Sequence, residues 1–334
     1  MRRGRVSGAA LLACVLLAGC EDSNPFPKDH CTLASIGDME VLTPRGSPVI
    51  PVTLDGHKVA MTVDTGAAFS ALSGSIAEKF ELPQTMSNHL VGGIDGTAFA
   101  SLATIESLGV GIGSIHNIVL TVTPAQMNRT IAGLPMAGLF GGDFLYNYDV
   151  YFNLPDRQFS FYREFNCPAD KDIDLGWPNG FYVLPFEEGQ AGHFGDQTKI
   201  VIPVTINGHK ITAVLDSGAY RTMINLDDAH SLGVTDAQLA ADHRVEVGGI
   251  IGQAQVAHVH RFASIDIGPE HFTDVPMVVA DTQAPSLLGA DFIRTHRMLI
   301  SYRRDKIFIE RHAHPAPPSP ALGQPAAAAG PAPR

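Results

Sequence analysis

This 334-residue chain predicts an all-β protein of two related lobes, on three observations. First, a long stretch is written twice. VIPVTLDGHK at 49–58 returns as VIPVTINGHK at 201–210, and Val63-Asp64-Thr65-Gly66-Ala67 returns as Leu215-Asp216-Ser217-Gly218-Ala219, each 152 positions on. A period that long, present twice, marks duplicated domains and not a solenoid of short units. Second, short runs rich in Val, Ile, Thr and Phe alternate with turn signals drawn from 33 glycines and 23 prolines, and few segments carry helical periodicity. Third, the length allows two domains that each bury a core.

The elements follow in order. Residues 39–43 and 48–54 read as a first hairpin turning at Arg45-Gly46-Ser47, and Asp55-Gly56 as a tight turn into a strand over 58–63. In both copies the alternation before the aspartate (Val59, Met61, Val63; Ile211, Ala213, Leu215) predicts a half-buried strand that delivers a carboxylate to a glycine turn. A returning strand at 69–72 and a short helix at 76–80 come next. Residues 88–100, with Gly92, Gly93, Ile94 and Gly96 in their middle, read as a glycine-rich hairpin and a candidate lid. Strands at 102–110 and 118–122 continue the sheet, Leu139-Phe140-Gly141 leads into a helix at 143–148, and strands at 150–152 and 159–162 close the lobe.

The second lobe repeats the plan. It is expected to hold a hairpin over 182–206, the Asp216 strand and turn, a helix at 227–232 and a glycine hairpin around Gly248, Gly249 and Ile250. Leu287-Leu288-Gly289 precedes a helix from Asp291, and the last strand is 306–310. Each lobe is thus a small β-barrel with a short helix. The division is lobe 1 at 39–162, a linker at 163–180 whose lone Trp177 is expected to pack between lobes, lobe 2 at 181–312, and a Pro/Ala-rich tail at 313–334 expected to be disordered.

Apolar-Asp-Thr/Ser-Gly-Ala, a Gly-Gly-Ile hairpin and Leu-Leu/Phe-Gly before a short helix, twice in this order, resemble the retropepsin-like aspartic proteases. The resemblance runs from about Met39 to Glu310 and is that of two retropepsin-type lobes fused in one chain, as in the pepsin-like branch. It implies two lobes related by a pseudo-twofold axis around a cleft, with Asp64 and Asp216 as a catalytic pair activating one water. Thr65 and Ser217 would lock the two turns together, Gly66 and Gly218 would permit their approach, and Leu139, Gly141, Leu288 and Gly289 would support them. Gly92, Gly93, Ile94, Gly248, Gly249 and Ile250 would form substrate-covering flaps. Neither hairpin carries the tyrosine usual near a pepsin-like flap tip. Ala67 and Ala219 stand where pepsin-like enzymes carry a hydroxyl, so a less acidic working range than pepsin's is expected.

The N-terminus carries Arg2, Arg3 and Arg5, an apolar run over 9–18, and Leu17-Ala18-Gly19-Cys20, which resembles the lipobox of bacterial lipoproteins. That resemblance implies a signal at 1–19, a lipid-bearing Cys20, a tether over 20–38 and export to a membrane surface. Cys31 and Cys167 then remain, and a disulfide between them is expected in an oxidising compartment. The 23 basic residues less the three leader arginines leave 20 against 34 acidic ones, a balance of −14 that argues against nucleic acid as a partner. His258 and His260, two apart on a strand, share one face and read as a solvated surface, so no metal or other cofactor is expected. The leading function is a monomeric, lipid-anchored endopeptidase acting on exported peptide or protein. The alternatives are a catalytically silent peptide-binding module of the same fold, and a dimer that pairs halves between chains.

Overall fold

A computed structural model describes residues 31–168, 173–188, 198–249, 251 and 253–312. The first half comprises strands β1 (Thr32–Glu40), β2 (Val49–Leu54), β3 (His57–Val63), β4 (Ala71–Ser73), β5 (Gln84–Gly93), β6 (Gly96–Val110), β7 (Gly113–Thr123), β8 (Thr130–Ile131), β9 (Leu134–Phe140), β10 (Asp149–Asn153) and β11 (Gln158–Phe165), with helices α1 (Gly74–Lys79) and α2 (Gly142–Leu145). The second half has β12 (Phe181–Pro185), β13 (Glu187–Glu188), β14 (Ile200–Ile206), β15 (His209–Leu215), β16 (Met223–Asn225), β17 (His243–Gly248), β18 (Ala254–Ile267), β19 (Glu270–Ala280), β20 (Leu287–Leu288), β21 (Arg297–Ser301) and β22 (Lys306–Glu310), with α3 (Leu226–Ser231), α4 (Asp236–Ala241) and α5 (Ala290–Ile293).

The protein is all-β, and each half closes a small barrel-like sheet. The first runs β2-β3-β9-β4-β7-β6-β5 and closes where β2 meets β6, Leu54 opposite Leu108. The second runs β13-β14-β15-β20-β16-β19-β18-β17 and closes where β14 meets β18, Ile206 opposite Ile265. Local chemistry sets the matching hairpins: Asp55-Gly56 and Asn207-Gly208 supply two successive positive φ angles each (45° and 81°; 50° and 82°). Those angles suit the tight turn whose twist matches the strands. Val52, Leu54, Val59, Met61 and Val63 fill one barrel, and Ile202, Val204, Ile206, Ala213 and Leu215 fill the other.

A third sheet, of order β1-β11-β10-β21-β22-β12, is built from both halves. The seam is the β10–β21 pair, where Val150 faces Ile300 and Phe152 faces Met298. One face of this sheet, with Val150, Phe152 and Ile300, joins the main core, and the other carries Leu299 and Phe308 under Ile173, Leu175 and Trp177. Trp177 lies 6.4 Å from the Tyr151 ring of one half and 6.2 Å from Phe181 of the other.

Three expectations are corrected. The hairpin of 39–43 with 48–54 is reduced to one backbone bond, Leu42 N to Val49 O (2.8 Å), because the chain up to Glu40 pairs with β11 instead. The chain before it starts a strand at Thr32, inside the expected tether, and pairs with β11 from Thr32–Phe165 to Glu40–Gln158. Nor do residues 182–206 form one hairpin: β12 pairs with β22 and β13 with β14. The expected linker begins while β11 is still running, to Phe165. Helix α4 was not anticipated, although Thr235 and Gln238 cap it reciprocally. The segments 1–19 and 313–334, with Cys20 and Ile250, lie outside the described residues. No helix among the described residues is long and apolar enough to cross a membrane.

Candidate active site

Asp64 leaves the end of β3, and its amide donates to Phe140 O of β9, which runs parallel beside it; Asp216 leaves β15 and donates to Leu288 O of β20 in the same way (both 2.9 Å). The Leu139 and Leu288 segments therefore lie directly beside the two aspartate strands. Their glycines are required by close approach: a Cβ on Gly141 would meet Phe69 C at 2.5 Å, and one on Gly289 would meet Arg221 C at 2.4 Å. Each helix that follows is pinned to the turn. Ser70 donates to Asp143 (2.7 Å) in one half and Thr222 to Asp291 (2.8 Å) in the other.

The two turns face each other and are cross-braced by four buried hydrogen bonds. Thr65 Oγ1 donates to Leu215 O (2.6 Å) and accepts from Ser217 N (2.9 Å). Ser217 Oγ donates to Val63 O (2.7 Å) and accepts from Thr65 N (3.0 Å). Both hydroxyls are fully buried, so every bond here holds a group that would otherwise be orphaned. A Cβ on Gly66 would stand 2.2 Å from Cγ of Asp216, and one on Gly218 the same distance from Cγ of Asp64. Glycine at both positions is what lets each turn press against the opposite carboxyl group.

Both carboxyl groups keep some exposure, and each Oδ1 accepts two turn amides: Gly66 and Ala67 for Asp64 (both 3.0 Å), Gly218 (2.8 Å) and Ala219 (3.0 Å) for Asp216. Desolvation is the largest influence on each pair member and raises both above the usual carboxylate range. Repulsion from Asp216 then pushes Asp64 well up, while turn amides, the bond from Asp64 and the Lys199 charge hold Asp216 lower. One shared proton on Asp64, with Asp216 ionised, satisfies this arrangement. Ser47 also reaches the site across the lobe boundary, donating to Gly218 O (2.6 Å), and Arg294 clamps the same lobe-1 loop by donating to Gly46 O and Thr43 O. Lys199 and Arg294 went unnoticed in the sequence, and Ser47 was read only as part of a turn. Ser47 and Lys199 stand at matched repeat positions, and matching them is what could have drawn attention to both.

The two glycine hairpins meet at their tips, unequally. β5 and β6 close on a two-residue tip, Ile94-Asp95, between paired Gly93 and Gly96; β17 and β18 close on a longer loop after Gly248. The Asp95 carboxylate, 8% exposed, accepts from Ile251 N (3.0 Å) and Gln253 N (3.0 Å) of the opposite tip. Ile94 O in return accepts from Gln255 Nε2 (2.9 Å) and Thr282 Oγ1 (3.2 Å). Gly249 is indispensable to the contact, since a Cβ there would lie 2.4 Å from Asp95 Oδ1. Sequence reasoning placed Gly92 to Ile94 at the tip but passed over Asp95. The signal was present: Asp95 stands where the second copy has Ile251, a break in the repeat at the tip itself.

Away from the cleft, Cys31 and Cys167 are joined as a disulfide between the outer ends of β1 and β11, 136 residues apart in sequence. His260 is not a solvated bystander: its Nδ1 meets Asp242 Oδ2 at 2.7 Å, and His258 Nδ1 is buried.

Comparison with known proteins speaks to each half separately. Residues 50–147 match the family described as gag-polyprotein aspartyl protease, and residues 202–292 match the family described as aspartyl protease. Both halves resemble aspartyl protease domains. The matches bracket Asp64 and Asp216 and leave out most of the shared sheet. DNA damage-inducible protein 1 of Chaetomium globosum is 27% identical to this chain over 117 residues, 35% of this chain and 26% of that protein. The UBA domain-containing protein Mud1 of Schizosaccharomyces pombe is 28% identical over 116 residues, again 35% of this chain and 34% of the relative. The chain thus spans about a third or less of the length of the curated relatives it matches.

Proposed function

We propose that the protein is an aspartic endopeptidase that hydrolyses peptide bonds of exported peptides or proteins in the cleft between its lobes. The observation that carries this reading is the facing pair Asp64 and Asp216, half-buried and with proton affinities raised unequally, on two cross-braced glycine turns. Asp216, ionised, takes a proton from a water held between the carboxyl groups, and the oxygen attacks the peptide carbonyl carbon. Asp64 donates its proton to the carbonyl oxygen. The tetrahedral intermediate collapses with proton return to the leaving nitrogen, yielding a carboxyl and an amine. An extended substrate suits a cleft roofed by hairpins, and closing them excludes water from the reacting bond.

Attachment through Cys20 to a bacterial membrane, with the lobes on the periplasmic side, is part of the proposal and rests on the lipobox resemblance together with the Cys31–Cys167 disulfide. A monomer is favoured by the shared sheet, which one chain completes with strands of both halves. The deciding experiment incubates the purified chain with a diverse peptide library from about pH 3 to pH 8, with Asp64→Asn, Asp216→Asn and pepstatin as controls. Cleavage abolished in both variants is the expected result. A folded wild type that cleaves nothing at any pH, yet retains peptides, would replace this reading with that of a binding module.

A further inference from the structure

We infer that Glu270, His296 and His312 of lobe 2 form a binding site for a divalent transition metal of the zinc class. Glu270 opens β19, His296 lies between α5 and β21, and His312 follows β22 by two residues. One ligand atom from each of the three lies within 4.8 Å of the others.

The hydrogen-bond roles at His296 carry the argument. Its ring is 1% exposed, and Nδ1 sits 2.8 Å from Phe292 O, an atom that only accepts. Thr295 Oγ1 also stands 2.9 Å from Nδ1 but spends its hydrogen on the same Phe292 O (2.8 Å), so Nδ1 is the donor to both and Nε2 of the neutral ring keeps a lone pair. That lone pair points at a second acceptor, Glu270 Oε2, 2.9 Å away. Two acceptors held at that distance need a positive centre between or beside them, which is either a proton or a metal ion. A proton would serve His296 and Glu270 alone. Two further groups converge on the same place. His312 brings its Nε2 to 3.9 Å from the other Glu270 oxygen, with its ring 5.0 Å from that of His296. Tyr182, 7% exposed, sets its hydroxyl toward Glu270 as a further polar neighbour.

Two imidazole nitrogens and a carboxylate form a donor set that suits zinc-like ions, and ligands on such an ion stand about 3.3 Å apart at ordinary bond lengths. The nitrogen–oxygen distances of 2.9 Å and 3.9 Å bracket that spacing. A backbone carbonyl accepting from the far nitrogen of a ligating histidine is the usual outer support of such sites. Bound metal would tie the chain after its last strand to the turn of the β18–β19 hairpin, where Glu270 faces Ile267, so its role is structural and independent of peptide hydrolysis.

The test uses the full chain, stripped of metal with a chelator and dialysed against Zn²⁺, with Co²⁺ as a spectroscopic substitute. One equivalent of zinc and the strong visible absorption of four-coordinate cobalt are expected, together with a zinc-dependent rise in melting temperature. His312 is partly exposed, so His312→Ala should fold normally, as far-ultraviolet circular dichroism will verify, and Glu270→Gln provides a second variant. Zinc binding should weaken in each by at least about tenfold, the lower end of what even outer-shell changes cost. Equal binding in wild type and both variants would mean adventitious capture by surface histidines. No binding by the folded wild type would leave an imidazolium–carboxylate pair. Either result overturns the inference.

Discussion

Thr65 and Ser217 show how little of a residue's role lies in its own loop. Each hydroxyl braces the opposite lobe, so Thr65→Val should orphan Leu215 O and Ser217 N in a site without water access. At 1–3 kcal/mol per orphaned group, a loss of about 3 kcal/mol in urea unfolding is expected, while Thr65→Ser should fall within about 1 kcal/mol of wild type. The aspartates set the acid–base behaviour. In the proposed mechanism activity needs one proton on the pair, and both groups are raised above the ordinary carboxylate range, by burial first. As pH falls, protonation of Asp216 should end activity while the solution is still less acidic than an ordinary aspartate would require. As pH rises, Asp64 should hold the working proton well past that range. The pH dependence of kcat/KM should therefore be a bell with both limbs above 3.8, the usual aspartate value, and an optimum below about pH 3 would sink the assignment.

At the scale of elements, the hairpins are where repeat symmetry breaks. Asp95 accepts the amide of Ile251, its own counterpart in the repeat, so one flap grips the other with a side chain that the second flap lacks. In Asp95→Ala the Ile251 and Gln253 amides should exchange with solvent at least about tenfold faster, since bonds to a charged acceptor contribute roughly 1.5–3 kcal/mol. Substrate entry should become easier and closure poorer, with KM and kcat changing together. Unchanged exchange at both amides would show that the tips are held by other contacts. The barrels, the aspartate turns and the tips were legible because short-range pattern encodes them: alternation before Asp64, a turn pair at Asp55-Gly56, glycines at 92 and 93. The pairing of β1 was not. The Arg45-Gly46-Ser47 turn signal is real, with Gly46 at a φ of 68°, but it joins strands of two different sheets. Nothing local in Thr32 to Glu40 says that its partner lies more than a hundred residues on.

For the molecule as a whole, the shared sheet decides whether two lobes make one cleft. Its seam carries charge under cover: Glu164 of β11 and Arg304, each side chain 1% exposed, form two bonds of 2.6 Å across the halves. Asp149 on β10 has its pKa raised to about 6, by burial first and by Glu164 repulsion, against a bond from Ser301. A raised folded-state pKa means that ionising this group opposes folding. Its contribution is most favourable below the ordinary value of 3.8 and is lost as pH climbs through about 6. Asp149→Asn should therefore raise stability at pH 7, by up to about 3 kcal/mol at 1.36 kcal/mol per unit, and the gain should vanish near pH 4. Melting temperatures of both proteins at the two pH values test this directly, and an equal difference at both would refute it.

That sheet also dictates an order of events during synthesis. β12 leaves the ribosome more than a hundred residues ahead of β22, the one strand that pairs with it in the finished sheet, and β10 likewise waits for β21. The barrel of the first lobe can close while the chain is still growing, but half of its neighbouring sheet stands as an open edge until Glu310 has appeared. Uncovered edges invite pairing with other chains. A ribosome that stalls short of the final strand thus releases a molecule with one finished lobe and a sticky border, which makes the last ten residues of the fold a quality checkpoint for everything made before them.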